Sequence, residues 1–323
     1  MRGLALVIPL VFVAGCVSGE AELVEPVPTL FDDVSSTTST MSTAGDETTS
    51  SSPTTTVRVA ERLPALVEDV PGAVAVGEGV VLPVTGTDGE VWFLLGPCGE
   101  DRLEPVSTAA LLGSQHVVLD PGGGDDVAGR INLAVGLRTA ELLAADGIAV
   151  VLTRTADAEL GAATRGAIGP AVGSSVLVSI QRGVGSTRTE DPMPTVFHRA
   201  DDPDSRRLAG LIHHEVASAF ATLDGAFTAH AEPGVRSLLN QRGEDYFRVL
   251  QTSAGVAAAR VELLSVDENE MALLASGEGH EIEARALADA IVRFLVTSEE
   301  GDGFIDPIEV VRTAPTSDSP GGC

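Results

Sequence analysis

The sequence predicts an α/β fold, in which a mostly parallel sheet is flanked by helices and preceded by a small β-rich module. Three apolar, β-branched runs at residues 117–119, 150–152 and 176–180 each lead into polar or glycine-rich residues, as buried parallel strands do. Helical periodicity separates the first two runs, and a strand–helix–strand order places such strands in one parallel sheet. An earlier hairpin signal around Thr87-Asp88-Gly89 predicts the separate β-rich module.

Composition limits the classes of partner. The chain has 323 residues, with 47 Asp and Glu against 20 basic residues and a net charge of −27. Every basic residue is arginine. Because nucleic acids and anionic lipid head groups attract basic surfaces, this balance argues against a nucleic-acid partner. Hydrophobic residues make up 44% of the chain and aromatic residues only 3%, which predicts an aliphatic core for one substantial domain.

Residues 1–16 resemble the signal peptide of a bacterial lipoprotein. A short basic start precedes an apolar run at residues 4–13, which is too short to cross a bilayer as a helix. The run ends at Val13-Ala14-Gly15-Cys16, a small-small-cysteine site whose cysteine would be lipidated. We therefore expect an extracytoplasmic protein that is anchored to the cell membrane by a lipid on Cys16. An ordinary cleaved signal peptide with a chance cysteine is the alternative.

Two segments lack the apolar residues that a core requires. Residues 17–57 are acidic and then rich in Ser and Thr, and residues 298–323 are acidic and rich in Pro, Ser and Gly. We expect both to be disordered, the first as a spacer and the second as a tail. Residues 58–110 form the β-rich module, which is either a binding module or a packing extension of the main domain.

The cysteine content allows one disulfide bond within the chain. Apart from Cys16, the chain has Cys98 and Cys323, which could pair in an oxidising compartment. There is no Cys-x-x-Cys pair, so a zinc site built from thiolates is excluded.

Residues 115–297 form the main domain, and apolar spacing predicts its elements. The first helix is predicted to bury a face that carries Leu133 and Leu137. Ser205 is predicted to cap the next long helix. A buried strand that carries Glu262 follows, and an amphipathic helix closes the domain.

Several motifs of this domain match those of a known enzyme family. In chain order they are Val117-Val118-Leu119-Asp120-Pro121-Gly122, Asn132-Leu133-Ala134, Val150-Val151-Leu152-Thr153-Arg154, Arg165, Val178-Ser179-Ile180 and Val261-Glu262-Leu263. In these residues the chain resembles the zinc-dependent N-acetylmuramoyl-L-alanine amidases, which cleave peptidoglycan. The resemblance covers residues 115–297 and implies the amidase fold for the main domain.

The resemblance also implies a zinc site, whose ligands this chain lacks. In the family, His, Glu and His hold one Zn²⁺ with an open position for water, and a glutamate transfers the proton. The three ligand positions are occupied here by Gly123, Ala128 and Gln181. Glycine and alanine have no ligating side chain, and a neutral amide oxygen is a poor ligand for Zn²⁺ beside imidazole. We therefore expect no zinc cofactor.

The carboxylate of the family's glutamate is retained as Glu262, which the resemblance implies to be the general acid and base. The alternative is a residual carboxylate that is held by an arginine such as Arg154 or Arg260. Asp120, Arg154 and His198 are candidates for lining the groove, and Asp120 is expected to shape the turn beneath it.

Three functions remain open. The favoured one is a cell-envelope lipoprotein whose degenerate amidase domain is non-catalytic and binds peptidoglycan or a cell-envelope protein, as a scaffold or regulator. The second is an active amidase that hydrolyses the MurNAc–L-Ala amide of peptidoglycan with a non-standard site around Glu262. The third is a protein-interaction module that uses residues 58–110 and the acidic surface.

Overall fold

The computed structural model describes residues 59, 62–67, 72–183, 187–190, 192–230, 233–267, 270–306 and 308–311. These residues belong to one compact unit, Thr55–Cys323. The predicted signal peptide with Cys16 and nearly all of the predicted spacer up to residue 57 lie outside the described residues, as do residues 312–323. Within the described part of the chain, no helix combines the length and the apolar character that crossing a bilayer requires.

The N-terminal part is an antiparallel sheet of five strands in the order β4-β3-β2-β1-β5. The predicted hairpin is confirmed, because Asp88 caps its turn by accepting hydrogen bonds from the amides of Glu90 at 3.0 Å and Val91 at 2.9 Å. The last strand ends at Leu112, two residues beyond the predicted end of the module. The five strands are β1 (Ala73–Val76), β2 (Val80–Thr87), β3 (Val91–Leu95), β4 (Asp101–Pro105) and β5 (Ala110–Leu112).

The main domain is built on a six-stranded sheet in the order β12-β10-β14-β8-β6-β7. The four strands β7, β6, β8 and β14 are parallel, as predicted, whereas β10 runs antiparallel to β14. The six strands are β6 (Val117–Pro121), β7 (Val150–Leu152), β8 (Val176–Arg182), β10 (Thr195–His198), β12 (Gly234–Arg236) and β14 (Ala257–Leu263). Short strands complete the fold as β9 (Thr187–Thr189), β11 (Phe227–Ala229), β13 (Leu238–Leu239) and β15 (Glu309–Val310).

Helices cover both faces of this sheet. The described helices are α1 (Val127–Ala145), α2 (Ala162–Ala171), α3 (Pro203–Phe220), α4 (Arg248–Thr252), α5 (Met271–Leu274) and α6 (Gly277–Val296). Residues of α1, α3 and α6 pack on one face with Val117 and Leu119 of β6. Residues of α2 and α4 pack on the other face with Val118, together with Ala73 and Val81 of the N-terminal sheet.

Two predicted helix details are wrong. In α1 the buried face carries Ile131, Val135 and Leu143, whereas Leu137 is exposed. The reason is that apolar residues occur all around this helix, so that spacing alone does not identify the buried side. The cap of α3 is Asp202, which accepts from the amide of Asp204; Ser205 instead lies inside the helix and accepts from the Ala258 amide at 2.8 Å.

Part of the predicted tail is ordered. Residues 298–306 and 308–311 lie against the main domain, and we call them the C-terminal segment. Val235 donates to the Gly303 carbonyl and accepts from the Ile305 amide, each at 2.8 Å. The segment then pairs with β13 through Glu309 and Val310. An acidic, glycine-rich composition misled the prediction, because an edge strand takes its hydrogen bonds from an existing sheet and needs few apolar residues of its own.

Candidate functional site

The register of the central sheet places five polar side chains on one face. Asp120 lies opposite Ser179, and Gln181 lies opposite Glu262. Arg260 pairs with Ser179 from the other side. Because strand residues alternate between faces, all five point to the side that carries α2 and α4, near the carboxyl ends of the strands, where ligands bind in open α/β sheets. We call this set of residues the site face.

Asp120 bonds side chains from several neighbouring elements at the site face. Its side chain is fully buried and accepts hydrogen bonds from the hydroxyls of Thr153 at 2.8 Å and Ser179 at 2.7 Å. It also forms an ion pair with the buried Arg165 at 2.5 Å. Every contact is internal, so Asp120 supports the end of β6 and is not a surface for a ligand.

Gln181 occupies the third predicted ligand position. Its side-chain amide donates to the Ser179 hydroxyl at 3.1 Å. The same amide covers Gly122 so closely that a Cβ on this glycine would overlap with it. Gln181 therefore fills the space directly above the turn that follows β6.

The turn itself holds the first ligand position in a closed conformation. Gly123 has a φ of +86°, and a Cβ at this position would lie 2.8 Å from the Cα of Gly129. A side chain larger than hydrogen is strained there and meets backbone that cannot yield. Ala128 lies in the first turn of α1, two residues after the capping Asp126.

Arg154, a predicted groove residue, is wholly buried and binds backbone oxygens only. Its guanidinium donates to the carbonyls of Pro121 at 2.8 Å, Gly129 at 2.6 Å and Ala156 at 2.9 Å. Burial lowers its pKa, and the carbonyl oxygens replace the water that the charge has lost. Arg154 thus ties the turn after β6 to the start of α1, and the structure does not place it in a groove.

Glu262 lies at the other end of the site face and is paired with Arg260. The two side chains form an ion pair and are each 12% exposed. The Arg260 guanidinium also lies over the Phe247 ring, 4.1 Å from its centroid. Of the two arginines that were predicted as partners, Arg260 is the one that contacts the carboxylate.

These residues do not fit a catalytic zinc ion. Such an ion takes three nitrogen, oxygen or sulfur ligands from the protein, and the expected positions offer Gly123, Ala128 and the amide of Gln181. Among the residues that the structure describes, no three His, Cys, Asp or Glu side chains are grouped so that they could hold a metal ion.

His198 is not part of the site face. Its neighbour Val196, two residues earlier on β10, belongs to the core beneath α3 and α6, so His198 faces the same side, opposite to Glu262. The sequence could not show this, because all four residues of β10 are buried and leave no alternation of polar and apolar residues.

Sequence reasoning missed a buried ion pair next to the site face. Arg182 binds Glu283 of α6 through two hydrogen bonds at 2.8 and 2.9 Å and donates to the side-chain oxygen Oδ1 of Asn132 at 2.8 Å. Asn132 in turn donates to the Gly122 carbonyl at 3.0 Å. The sequence signal that could have indicated this ion pair was Glu283, a charged residue one helical turn from the buried Leu287.

Cys98 is disulfide-bonded, and its partner lies outside the described residues. The bridge between Cys98 and Cys323 therefore stays a prediction.

Comparisons with known proteins identify the family of the main domain. The family model described as N-acetylmuramoyl-L-alanine amidase matches residues 117–293, which is more than half of the chain. No curated protein is significantly similar to the chain.

Several solved structures are similar to the main domain. The CwlD amidase from Clostridioides difficile, solved in complex with the GerS lipoprotein, is 20% identical, with 56% of this chain and 98% of that chain covered and a TM-score of 0.45. The catalytic domain of CwlV, an amidase from Paenibacillus polymyxa, is 22% identical, with 55% and 97% covered and a TM-score of 0.44. The AmiC2 amidase of Nostoc punctiforme is 25% identical, with 57% and 99% covered and a TM-score of 0.44.

Proposed function

Because the chain belongs to the N-acetylmuramoyl-L-alanine amidase family, we propose that it is a non-catalytic member of that family. In this proposal it acts in the cell envelope, where it binds peptidoglycan or a cell-envelope protein as a scaffold or regulator. Lipidation of Cys16 would hold it at the outer face of the membrane. It uses no zinc.

One observation carries the proposal: all three positions lack ligands, and the positions of Gly123 and Gln181 are closed as well. Gln181 lies over Gly122, and Gly123 adopts a left-handed conformation against Gly129. A mutation that only removed a ligand would leave an open cavity behind. Here the turn after β6 has packed against α1, so restoring one histidine does not restore the geometry that zinc requires.

The arrangement around Glu262 supports the same conclusion. A general base needs a carboxylate that is free to take a proton from water. The Glu262 carboxylate instead accepts from the guanidinium of Arg260, which stacks on Phe247. This ion pair competes with water for the carboxylate oxygens.

The test is an assay of zinc content and of peptidoglycan hydrolysis on the purified full-length protein. We expect far less than one zinc per chain, even after incubation with zinc, and no release of stem peptides from peptidoglycan. Glu262→Gln is the matched variant, because it keeps the shape of the side chain and removes the charge. Stoichiometric zinc, or a release of stem peptides that disappears in Glu262→Gln, would overturn the proposal.

An active amidase is the second candidate, because Glu262 still faces the site side of β14. Without a metal, this carboxylate would have to activate water and also stabilise the developing oxyanion, which in hydrolases is the task of separate groups. The hydrolysis assay decides between the two candidates.

A protein-interaction module is the third candidate. It is favoured by the outer face of the N-terminal sheet, where Phe93 and Leu103 are exposed as a cross-strand pair. Retention of every envelope partner by a Leu103→Asp variant would count against this candidate.

A further inference from the structure

The C-terminal segment continues the central sheet beyond β12, but it does so with a bulge. Phe304 lies opposite Val235, and Glu309 lies opposite Leu238. The segment has four residues between these partners where the sheet strand has two. The difference of two residues between these partners is that of a β-bulge, and bulges are found at sheet edges and next to active sites more often than elsewhere.

A cavity of about 210 Å³ lies beneath this bulge, and we call it the edge pocket. It lies between the end of β10, the start of α3 and the C-terminal segment. Its walls are mixed, with Val235 and Ile305 as apolar contacts. The volume is below the range of about 300–1,000 Å³ that is typical of sites for drug-sized ligands, so any occupant is small.

Two polar side chains of the edge pocket are buried and incompletely bonded. The hydroxyl of Ser237 has no hydrogen-bond partner among the described residues. His198 donates from Nδ1 to the Arg199 carbonyl at 2.9 Å, and burial lowers its pKa. The ring is therefore neutral at pH 7, which leaves Nε2 as an acceptor. Because buried polar groups are nearly always bonded in folded proteins, the Ser237 hydroxyl is available to bond a polar group that enters the edge pocket.

Two opposite charges stand at the rim of the edge pocket. The Arg206 guanidinium lies 3.7 Å from the centroid of the Phe304 ring and 3.8 Å from the Asp306 carboxylate. The side chains are 40% and 78% exposed, so both charges reach solvent. A simple anion would be attracted by Arg206 and repelled by Asp306, and a simple cation would meet the reverse. Arg206 and Asp306 form an exposed ion pair with each other, and a ligand that carries both charges can replace this ion pair by bonding both side chains at once.

We propose that the edge pocket binds a small zwitterion, an α-amino acid with a short apolar side chain. The carboxylate of the ligand accepts from Arg206. Its ammonium donates to Asp306 and to Nε2 of His198. The apolar side chain lies against Val235 and Ile305, and the hydroxyl of Ser237 bonds one of the polar groups. The edge pocket lies on the opposite face of the sheet from Glu262, so this proposal does not depend on the proposed function.

Calorimetric titration of the full-length protein with L-alanine and with D-alanine tests the proposal. We expect one of the enantiomers to bind at one site per chain. N-acetylalanine, which lacks the ammonium group, and alaninamide, which lacks the carboxylate, should each bind at least about tenfold more weakly, since a hydrogen bond to a charged group contributes about 1.5–3 kcal/mol.

Two variants locate the site. Arg206→Gln and Asp306→Asn should each weaken alanine binding by about tenfold or more. The control is Arg242→Gln, an exposed arginine that pairs with Glu244 and does not line the edge pocket. Asp306 is exposed, so Asp306→Asn keeps the test valid if Arg206→Gln fails to fold. The proposal is overturned if neither enantiomer binds, if a blocked derivative binds equally well, or if Asp306→Asn binds like the unaltered protein.

Discussion

At the scale of single residues, the strongest constraint is the cluster around Asp120. This carboxylate has no exposed surface, and three side chains converge on it: two hydroxyls and the guanidinium of Arg165. A buried charge is tolerable only when its partners replace the water it has lost. The Asp120 cluster therefore stabilises the turn after β6 in the absence of any metal.

Asp120→Asn should destabilise the protein by about 3–5 kcal/mol, because it leaves the buried guanidinium of Arg165 without a counter-charge. The new amide group also cannot accept all three of the hydrogen bonds that the carboxylate accepts. Urea unfolding measures the change through the shift of the midpoint. Asp125→Asn is the control, since Asp125 is exposed and such changes stay within about 0.5 kcal/mol. Equal midpoints for the two variants would refute the role given to Asp120.

The sequence predicted the role of a residue correctly where the chemistry of its side chain alone defines that role. Asp120 was named both as a groove candidate and as a support of the turn, and only the second role agrees with its contacts. Arg260 was one of the two arginines named for Glu262, and it is the one that contacts the carboxylate. Arg154 and His198 were misplaced, because the pattern of polar and apolar residues does not reveal their surroundings. Arg154 binds backbone carbonyls, and His198 lies on a wholly buried strand. Only the three-dimensional register assigns them to a face.

At the scale of elements, the C-terminal segment is held by a close approach of two glycines. A Cβ on Gly210 of α3 would lie 3.0 Å from the Cα of Gly301. Beyond this crossing, Asp302 bonds His213 and His214, each at 2.7 Å. The segment is thus attached through backbone contact and charged hydrogen bonds, neither of which requires the apolar composition from which folded segments are predicted. The parallel strands were predicted correctly because each is a continuous apolar run.

Gly301→Ala should loosen the C-terminal segment, because the added methyl group overlaps with the backbone of Gly210. Overpacking of this kind costs about 1–3 kcal/mol. Hydrogen exchange reports it directly, since the Ile305 amide bonds to the Val235 carbonyl and should exchange faster once the segment detaches. Gly277→Ala is the matched control, since a Cβ there has no neighbour within 4 Å. Unchanged exchange at Ile305 in Gly301→Ala would contradict this account of the attachment.

At the scale of the whole molecule, the N-terminal sheet is a packing extension of the main domain. Ala73 and Val81 share one core with Val118 and Val151. Backbone bonds cross the boundary as well, from the Val81 amide to the Thr153 carbonyl at 2.9 Å and from the Gly72 amide to the Ala171 carbonyl at 2.7 Å. The sequence left this question open, because a hairpin signal shows that strands form and not what covers them. Deleting residues 58–110 would therefore uncover the core of the main domain.

The N-terminal sheet and the main domain should accordingly unfold in one transition, and the chain carries a separate probe for each. Trp92, the single tryptophan, packs against the core of the N-terminal sheet, whereas the helices α1 to α6 all lie in the main domain. Tryptophan fluorescence and helical circular dichroism should then give the same urea midpoint. Val81→Ala removes two buried methyl groups at a cost of about 2 kcal/mol and should lower both midpoints together. Leu103→Ala, on the exposed face of the sheet, should move neither. If Val81→Ala lowered the fluorescence midpoint alone, the N-terminal sheet would be an independent module, and its exposed Phe93 and Leu103 would then be the better evidence for function.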